Sequence, residues 1–220
     1  MRTLIIPDVH EQYSELLALT PKMESADRVV LLGDFWDTFF PDGKQGLITT
    51  WLLGVLWHDK YDVLWGNHDC HYAFDNAQFL CSGYSRDTKA LLKKEMPEEA
   101  WRRFKISTKV GPFVVSHAGW HPKTLYLNES VDIALDKAFK GGFHPLWQAG
   151  RAVGGSAEFG GPTWLRWWEL KDVGFPQIVG HTRVKEPKTD LLGNWNLDTG
   201  LRHVAWIDEA SGKVTVESAK

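Results

Sequence analysis

The sequence predicts an α/β fold. Three observations carry that reading: short apolar runs rich in β-forming residues that end abruptly in polar residues or glycine, helical patterns between the first of these runs, and alternating segments near the end of the chain.

The apolar runs cover residues 3–6, 28–32, 62–65, 113–115 and 177–179, and each reads as a buried strand. Between the first and second, Ser14 can cap a short helical pattern over 15–19. Between the second and third, Leu47, Ile48, Trp51, Leu52, Val55 and Leu56 recur at helical spacing within 44–60. Strand, helix, strand, helix, strand implies a parallel sheet. Later, 195–197, 203–207 and 213–217 alternate or carry β-branched residues around turns such as Ser211-Gly212, which suggests a second, more antiparallel sheet. The glycines and Pro145 within 141–161 make that stretch a long loop. There is no internal repeat and no interdomain linker, so 1–220 reads as a single domain.

Composition narrows the class. Hydrophobic residues make up 43% of the chain and aromatic residues 13%, enough for one well-filled core. With 25 Lys and Arg against 28 Asp and Glu, the formal charge is −3, and no chain-wide basic field indicates a nucleic-acid partner. A phosphate-bearing substrate has to meet local positive charge. Cys70 and Cys81 are too few for a disulfide framework and too far apart for a thiolate redox pair, which suits a reducing cytoplasm. No run of membrane length and no cleavable signal pattern occurs, so a soluble, cytoplasmic protein with no membrane partner is expected. The signatures of P-loop NTPases, serine hydrolases and zinc-helix proteases are missing.

Two biased features are read as structural. The basic excess within 86–109 is a solvated helix face. The twelve tryptophans, several near the motifs, are core and loop anchors sooner than platforms for a nucleobase.

The chemistry gathers where the apolar runs end. Asp8 and His10, two apart on extended chain, turn to one face. The second run ends in Gly33-Asp34-Phe35-Trp36-Asp37 and the third in Gly66-Asn67-His68-Asp69, at the strand ends where parallel sheets form their ligand crevice. The fourth leads into Ser116-His117-Ala118-Gly119 and the fifth into Gly180-His181-Thr182. Any one block alone reads as a turn or a hydrogen-bonded polar residue; all five in order read as a dinuclear metal site. Imidazole nitrogens mixed with carboxylate and amide oxygens suit manganese, iron or zinc. The remaining histidines, His71 and His121 included, are assigned no metal.

Together these blocks resemble those of the calcineurin-like metallophosphoesterases over residues 8–200, and Asn196-Leu197-Asp198-Thr199-Gly200 is similar to a late block of the small bacterial and phage-type phosphoprotein phosphatases. The resemblance implies an α/β (α+β) fold in a four-layer α/β/β/α sandwich, two mixed β-sheets packed face to face with helices outside. It implies two divalent metal ions, manganese first and iron or zinc as alternatives. Asp8 and His10 would hold one, Asn67, His117 and His181 the other, and Asp34 would bridge them. It further implies in-line attack by a metal-bridging hydroxide, with His68 protonating the leaving oxygen and Asp37 orienting that imidazole.

Three positions depart from the pattern. Thr38-Phe39 stands where phosphoprotein phosphatases carry Arg-Gly, the Gly-His-Thr block lacks the second histidine of the Gly-His-x-His form, and Asp69 replaces a glutamate. Arg166, in a segment resembling the Trp-x-Arg element, is the candidate substrate-phosphate clamp, with stacking on tryptophan as its structural alternative. The expected activity is hydrolysis of a phosphomonoester, on a phosphoprotein or a small phosphate ester. The alternative is a phosphodiesterase, dinucleoside polyphosphatase or nucleic-acid end-processing enzyme, and the remote one a metal-bearing interaction scaffold without catalysis.

Overall fold

The computed structural model describes residues 1–38 and 44–220; Phe39, half of the Thr38-Phe39 departure, lies outside the described residues. Strands β1 (Arg2–Ile6), β2 (Arg28–Leu31) and β3 (Tyr61–Val63) lie side by side in parallel. A second sheet is built from β4 (Ser107–Val110), β5 (Phe113–Ser116), β6 (Gln177–Val179), β7 (Lys188–Thr189) and β8 (Trp195–Asn196). The chain then returns to the first sheet with β9 (His203–Asp208) and β10 (Lys213–Ser218). Among the described residues each sheet has five strands, ordered β10-β9-β1-β2-β3 and β4-β5-β6-β8-β7.

Parallel neighbours need crossovers, and the helices supply them. α1 (Tyr13–Ala18) and α2 (Thr20–Ser25) link β1 to β2, and α3 (Gln45–Val55) lies between β2 and β3. α4 (Asn67–Ala73), α5 (Arg86–Glu95) and α6 (Glu98–Trp101) follow β3, and α7 (Val131–Phe139) follows β5.

The packing follows from the two-residue period of strands. Leu4 and Ile6 of β1, Val29 and Leu31 of β2, and Val204 and Trp206 of β9 face the helices. Their neighbours Ile5, Val30, Ala205 and Ile207 face the second sheet, where Phe113, Val115 and Ile178 meet them. A strand buried on both faces reads as a continuous apolar run, which is why these were visible in the sequence. The outer face of the second sheet is covered by a smaller layer, Leu165, Leu170 and Ala118 over Val179.

The late strands differ from the expectation. They do not form one antiparallel sheet: β8 lies parallel to β6 in the second sheet, whereas β9 pairs antiparallel with β1, Leu4 opposite Trp206. Alternation identifies a strand but carries no information about its partner. Ser14 is not a cap either; it lies inside α1, whose N-cap Gln12 makes no side-chain cap bond, and its hydroxyl accepts from Lys44 Nζ at 3.2 Å. In α3, Ile48, Thr49 and Leu52 are buried while Leu47 is half exposed.

The basic stretch 86–109 divides into α5, capped by Ser85, whose Oγ accepts from Thr88 N at 3.3 Å, the short α6, and edge strand β4. The tryptophans are largely core: Trp36, Trp65, Trp120 and Trp147 are fully buried, and Trp65 stacks on Trp101 at 5.6 Å with Phe104 at 4.8 Å. Among the described residues no helix is long and apolar enough to cross a membrane.

Candidate metal centre

The carboxyl ends of β1, β2, β3, β5 and β6 converge, and the side chains just beyond them face one another. Of the six non-glycine residues with positive φ among those described, four are His10 (45°), Asp34 (52°), Asp37 (67°) and His181 (61°). Left-handed backbone costs L-residues energy and persists where the surroundings enforce it, so strain is concentrated at this point.

The glycines of the motifs exist for close approach. A Cβ on Gly66 would lie 2.0 Å from Asp34 Oδ1, and one on Gly180 would lie 2.0 Å from Asp8 Oδ1. Asp69 braces the same junction, its carboxylate accepting the N–H groups of Asp34 (2.8 Å), Phe35 (2.9 Å) and Gly66 (2.9 Å). Burial and the neighbouring Asp34 charge push its carboxyl up to about 7.

Two donor groups share Asp34. In the first, Asp34 Oδ2 lies 3.6 Å from His10 Nε2, with Asp8 completing the set. His10 Nδ1–H donates to the Asp37 carbonyl at 2.7 Å, which leaves Nε2 as the lone-pair atom. In the second, His117 Nε2 lies 3.4 Å from Asp34 Oδ2, 3.1 Å from Asn67 Oδ1 and 3.3 Å from His181 Nδ1. His117 Nδ1–H donates to the Leu32 carbonyl at 2.8 Å, so its lone pair also points inward. Asp8 Oδ2 accepts the His181 N–H at 2.9 Å, while its Oδ1 is buried without a hydrogen-bond partner.

This donor set fits metal ions. Acceptor atoms face acceptor atoms at contact distance, an arrangement that protons alone do not satisfy and cations do. Burial pushes the imidazoles of His117 and His181 below their ordinary range, the neutral state that ligation needs. Burial, Asp198 and Asp34 push Asp8 well up, whereas the imidazoles of His117, His68 and His10 hold Asp34 low despite its burial. A buried cluster of carboxylates in mutual repulsion is the electrostatic imprint of a cation site.

Beside these groups His68 Nδ1 lies 3.0 Å from Asp37 Oδ2. Against burial, the Asp34 and Asp37 carboxylates hold His68 well above the ordinary imidazole range. Asp37 also accepts from the Tyr72 hydroxyl, and its Oδ2 is 2.5 Å from His71 Nε2, a contact without hydrogen-bond alignment. His10, Asp34, Asn67, His68, Arg166 and His181 line one cavity of about 1090 Å³. Arg166 Nε is buried without a hydrogen-bond partner, and its guanidinium carbon is 5.9 Å from the Trp168 ring centroid, near the outer limit of a cation–π contact.

Sequence reasoning missed several neighbours. Asp198 and Arg183 line the same cavity and pair at 3.2 Å, and Trp164 stands edge-on to His181 at 5.8 Å. They lie on irregular segments whose course no periodicity reveals; the Asn196–Gly200 block hinted at Asp198, and Trp164 is the tryptophan of the Trp-x-Arg element, read there as a loop anchor. His121, next in sequence to Gly119-Trp120, stacks on Phe159 at 3.7 Å instead. None of the basic residues of 86–109 lines the cavity.

The profile of the calcineurin-like phosphoesterases matches residues 1–185, and the chain belongs to that family of metallophosphoesterases; it is a phosphoester hydrolase. No curated protein matches it by sequence. Among solved structures, it is similar in fold to the cold-active protein-tyrosine phosphatase of a psychrophilic Shewanella species, at 15% identity and TM-score 0.65 over 100% of this chain and 80% of that one. A protein provisionally assigned as a diadenosine tetraphosphatase matches at 16% identity and TM-score 0.57, over 99% of this chain and 93% of that one. A protein serine/threonine phosphatase from Saccharomyces cerevisiae matches at 15% identity and TM-score 0.57, over 99% of this chain and 79% of that one. At these identities the likeness is one of fold: two mixed sheets packed together with helices.

Proposed function

We propose that the chain is a dinuclear metal-dependent phosphomonoesterase acting on a phosphoprotein or a small phosphate ester. The observation that carries this reading is Asp34, whose carboxylate is common to two donor groups while its Oδ1 accepts the backbone N–H of His68 at 2.9 Å. Asp8 and His10 would hold one ion, Asn67, His117 and His181 the other, and Asp34 both. Manganese is the expected ion, iron or zinc the alternatives, on the strength of the mixed nitrogen and oxygen donors.

Hydrolysis of a phosphate monoester needs accelerations of up to ~10²¹, of which a well-placed acid supplies only ~10²–10⁴. Ions held by the two donor groups would supply most of the remainder, activating water at neutral pH and neutralising phosphoryl charge. The chain's own residues handle the proton and the orientation. With His68 Nδ1 directed at Asp37, Nε2 is the atom left to give its proton to the leaving oxygen as the ester bond breaks, and Asp37 stabilises the imidazolium before transfer. Arg166 would clamp the non-bridging oxygens from the same cavity.

A second reading, a phosphodiesterase or dinucleoside polyphosphatase, is favoured by the size of the cavity, far larger than one phosphoryl group, and by Thr38 in place of an arginine. Both cysteines are free thiols, which supports the cytoplasm as the place of action. Rates on p-nitrophenyl phosphate and on bis-p-nitrophenyl phosphate, each with manganese and after chelation, test the assignment. Metal-dependent turnover of the monoester is expected, dominance of the diester selects the second reading, and no metal-dependent turnover of either overturns both.

A further inference from the structure

The proposed acid also belongs to a donor cluster whose other two members, His71 and Cys81, have no part in hydrolysis. His68 and His71 are three apart on α4, so one helical turn brings their imidazoles to the same side, ring centroids 5.7 Å apart. Cys81, from the segment after the 3₁₀ turn Ala77–Phe79, places its Sγ 3.2 Å from His71 Nδ1 and 3.8 Å from His68 Nδ1. One donor atom from each of the three lies within 4.8 Å of the others.

We propose that His68, His71 and Cys81 form a third metal site, selective for zinc, that inhibits the enzyme by occupying the nitrogen through which His68 is held by Asp37. The inhibitory consequence rests on the reading of His68 as the acid; the metal site itself does not.

Distances support it. Tetrahedral zinc with a Zn–S bond of about 2.3 Å and Zn–N bonds of about 2.0–2.1 Å sets S···N separations of about 3.6 Å, and the observed pair brackets that value. Donor chemistry supports selectivity: a thiolate with two imidazoles prefers zinc to manganese, whereas the neighbouring centre of nitrogen and oxygen donors accepts manganese. The His71 ring is also fixed in place by its packing. Its side chain is fully buried, Tyr72 packs edge-on at 4.2 Å, and the nitrogen opposite the thiol contacts Asp37. His68 and Cys81 both border the cavity, which gives an ion its way in. Three protein donors leave a fourth position for water.

The chemistry is a competition without redox. Zinc binding releases the thiol proton of Cys81 and the Nδ1 proton of His68 to solvent, and forms bonds to Sγ and both imidazoles. An Nδ1 that carries zinc cannot carry the proton shared with Asp37. His68 then ceases to be an imidazolium, and the leaving oxygen goes unprotonated.

The test uses manganese-loaded protein and two readouts. Cobalt(II) added as a spectroscopic substitute for zinc is expected to give a sulfur-to-cobalt charge-transfer band in the near ultraviolet, absent from Cys81→Ser and Cys81→Ala. Zinc titrated against a fixed excess of manganese is expected to inhibit wild type at concentrations at least about 10-fold below those needed for Cys81→Ser. A missing band, a band that survives both substitutions, or equal zinc sensitivity in wild type and variants overturns the proposal. If no phosphate ester is turned over, the cobalt band still decides the site; if hydrolysis proceeds and the band is missing, the site falls and the phosphatase reading stands.

Discussion

Asp37 Oδ2 stands 3.0 Å from His68 Nδ1, and the carboxylate is itself fixed from its other side by the Tyr72 hydroxyl. Its backbone N–H donates to Glu11 Oε1 at 3.2 Å. An imidazole oriented by so constrained a partner has one nitrogen left for chemistry, and the consequences are measurable.

His68→Ala is expected to slow turnover of phenyl phosphate by ~10²-fold or more while both ions stay bound. The loss should be smaller on p-nitrophenyl phosphate, whose leaving oxygen needs less help from an acid. Metal analysis of the purified variant is the control; ions lost with His68 would contradict its assignment.

Asp34→Asn and His117→Ala separate the two donor groups. Asp34 belongs to both and His117 to one, so the first substitution should weaken both ions and the second only one, by at least about 10-fold in affinity. Metal content after dialysis against dilute chelator distinguishes the two patterns.

Gly180→Ala should damage the centre without replacing any proposed ligand. The added methyl would stand 2.0 Å from Asp8 Oδ1, so the carboxylate or the β6 end must move. Reduced metal content with a near-normal far-ultraviolet circular dichroism spectrum is the expected result, and unchanged metal binding would sink the argument.

Acid stability reports on a group outside the centre. Asp62 on β3 accepts from Lys105 Nζ at 2.5 Å, from Thr108 at 2.8 Å and from Arg28, and these partners outweigh burial and hold its carboxyl below the ordinary range. A depressed folded-state value means its contribution is fully present above the unfolded value of about 3.9 and is lost as pH falls through the folded one. Urea midpoints of wild type should therefore decline more steeply below about pH 4 than those of Asp62→Asn. Asp62→Ala should cost roughly 1.5–3 kcal/mol at neutral pH, because it strips charged hydrogen bonds.

The strands most legible in the sequence are those buried on both faces. Ile5 and Ile6, or Val29 and Val30, leave no polar position to blur the run. β4 was not legible, because Ser107-Thr108-Lys109 sits at a sheet edge with most of its surface outside the core. Where β9 would pair was equally hidden, since its apolar run over 204–207 is compatible with either sheet. Near the candidate centre, the residues that follow directly on strands could be named from the sequence. The brace made by Asp69, the Asp198–Arg183 pair, and the meeting of Cys81 with His71 depend on how loops return across the strand ends.

Asp8, Asp34 and Asn67 follow strands of one sheet, and His117 and His181 follow strands of the other. The second donor group, Asp34 with Asn67, His117 and His181, therefore straddles the seam between them, whereas Asp8, His10 and Asp34 all follow strands of the first sheet. A chain that had formed only one sheet would offer a cation at the second position only two of those four donors. An ion held there acts as a proofreader of assembly: it rewards only chains whose sheets have met in register, and withholds its binding energy from every other conformer.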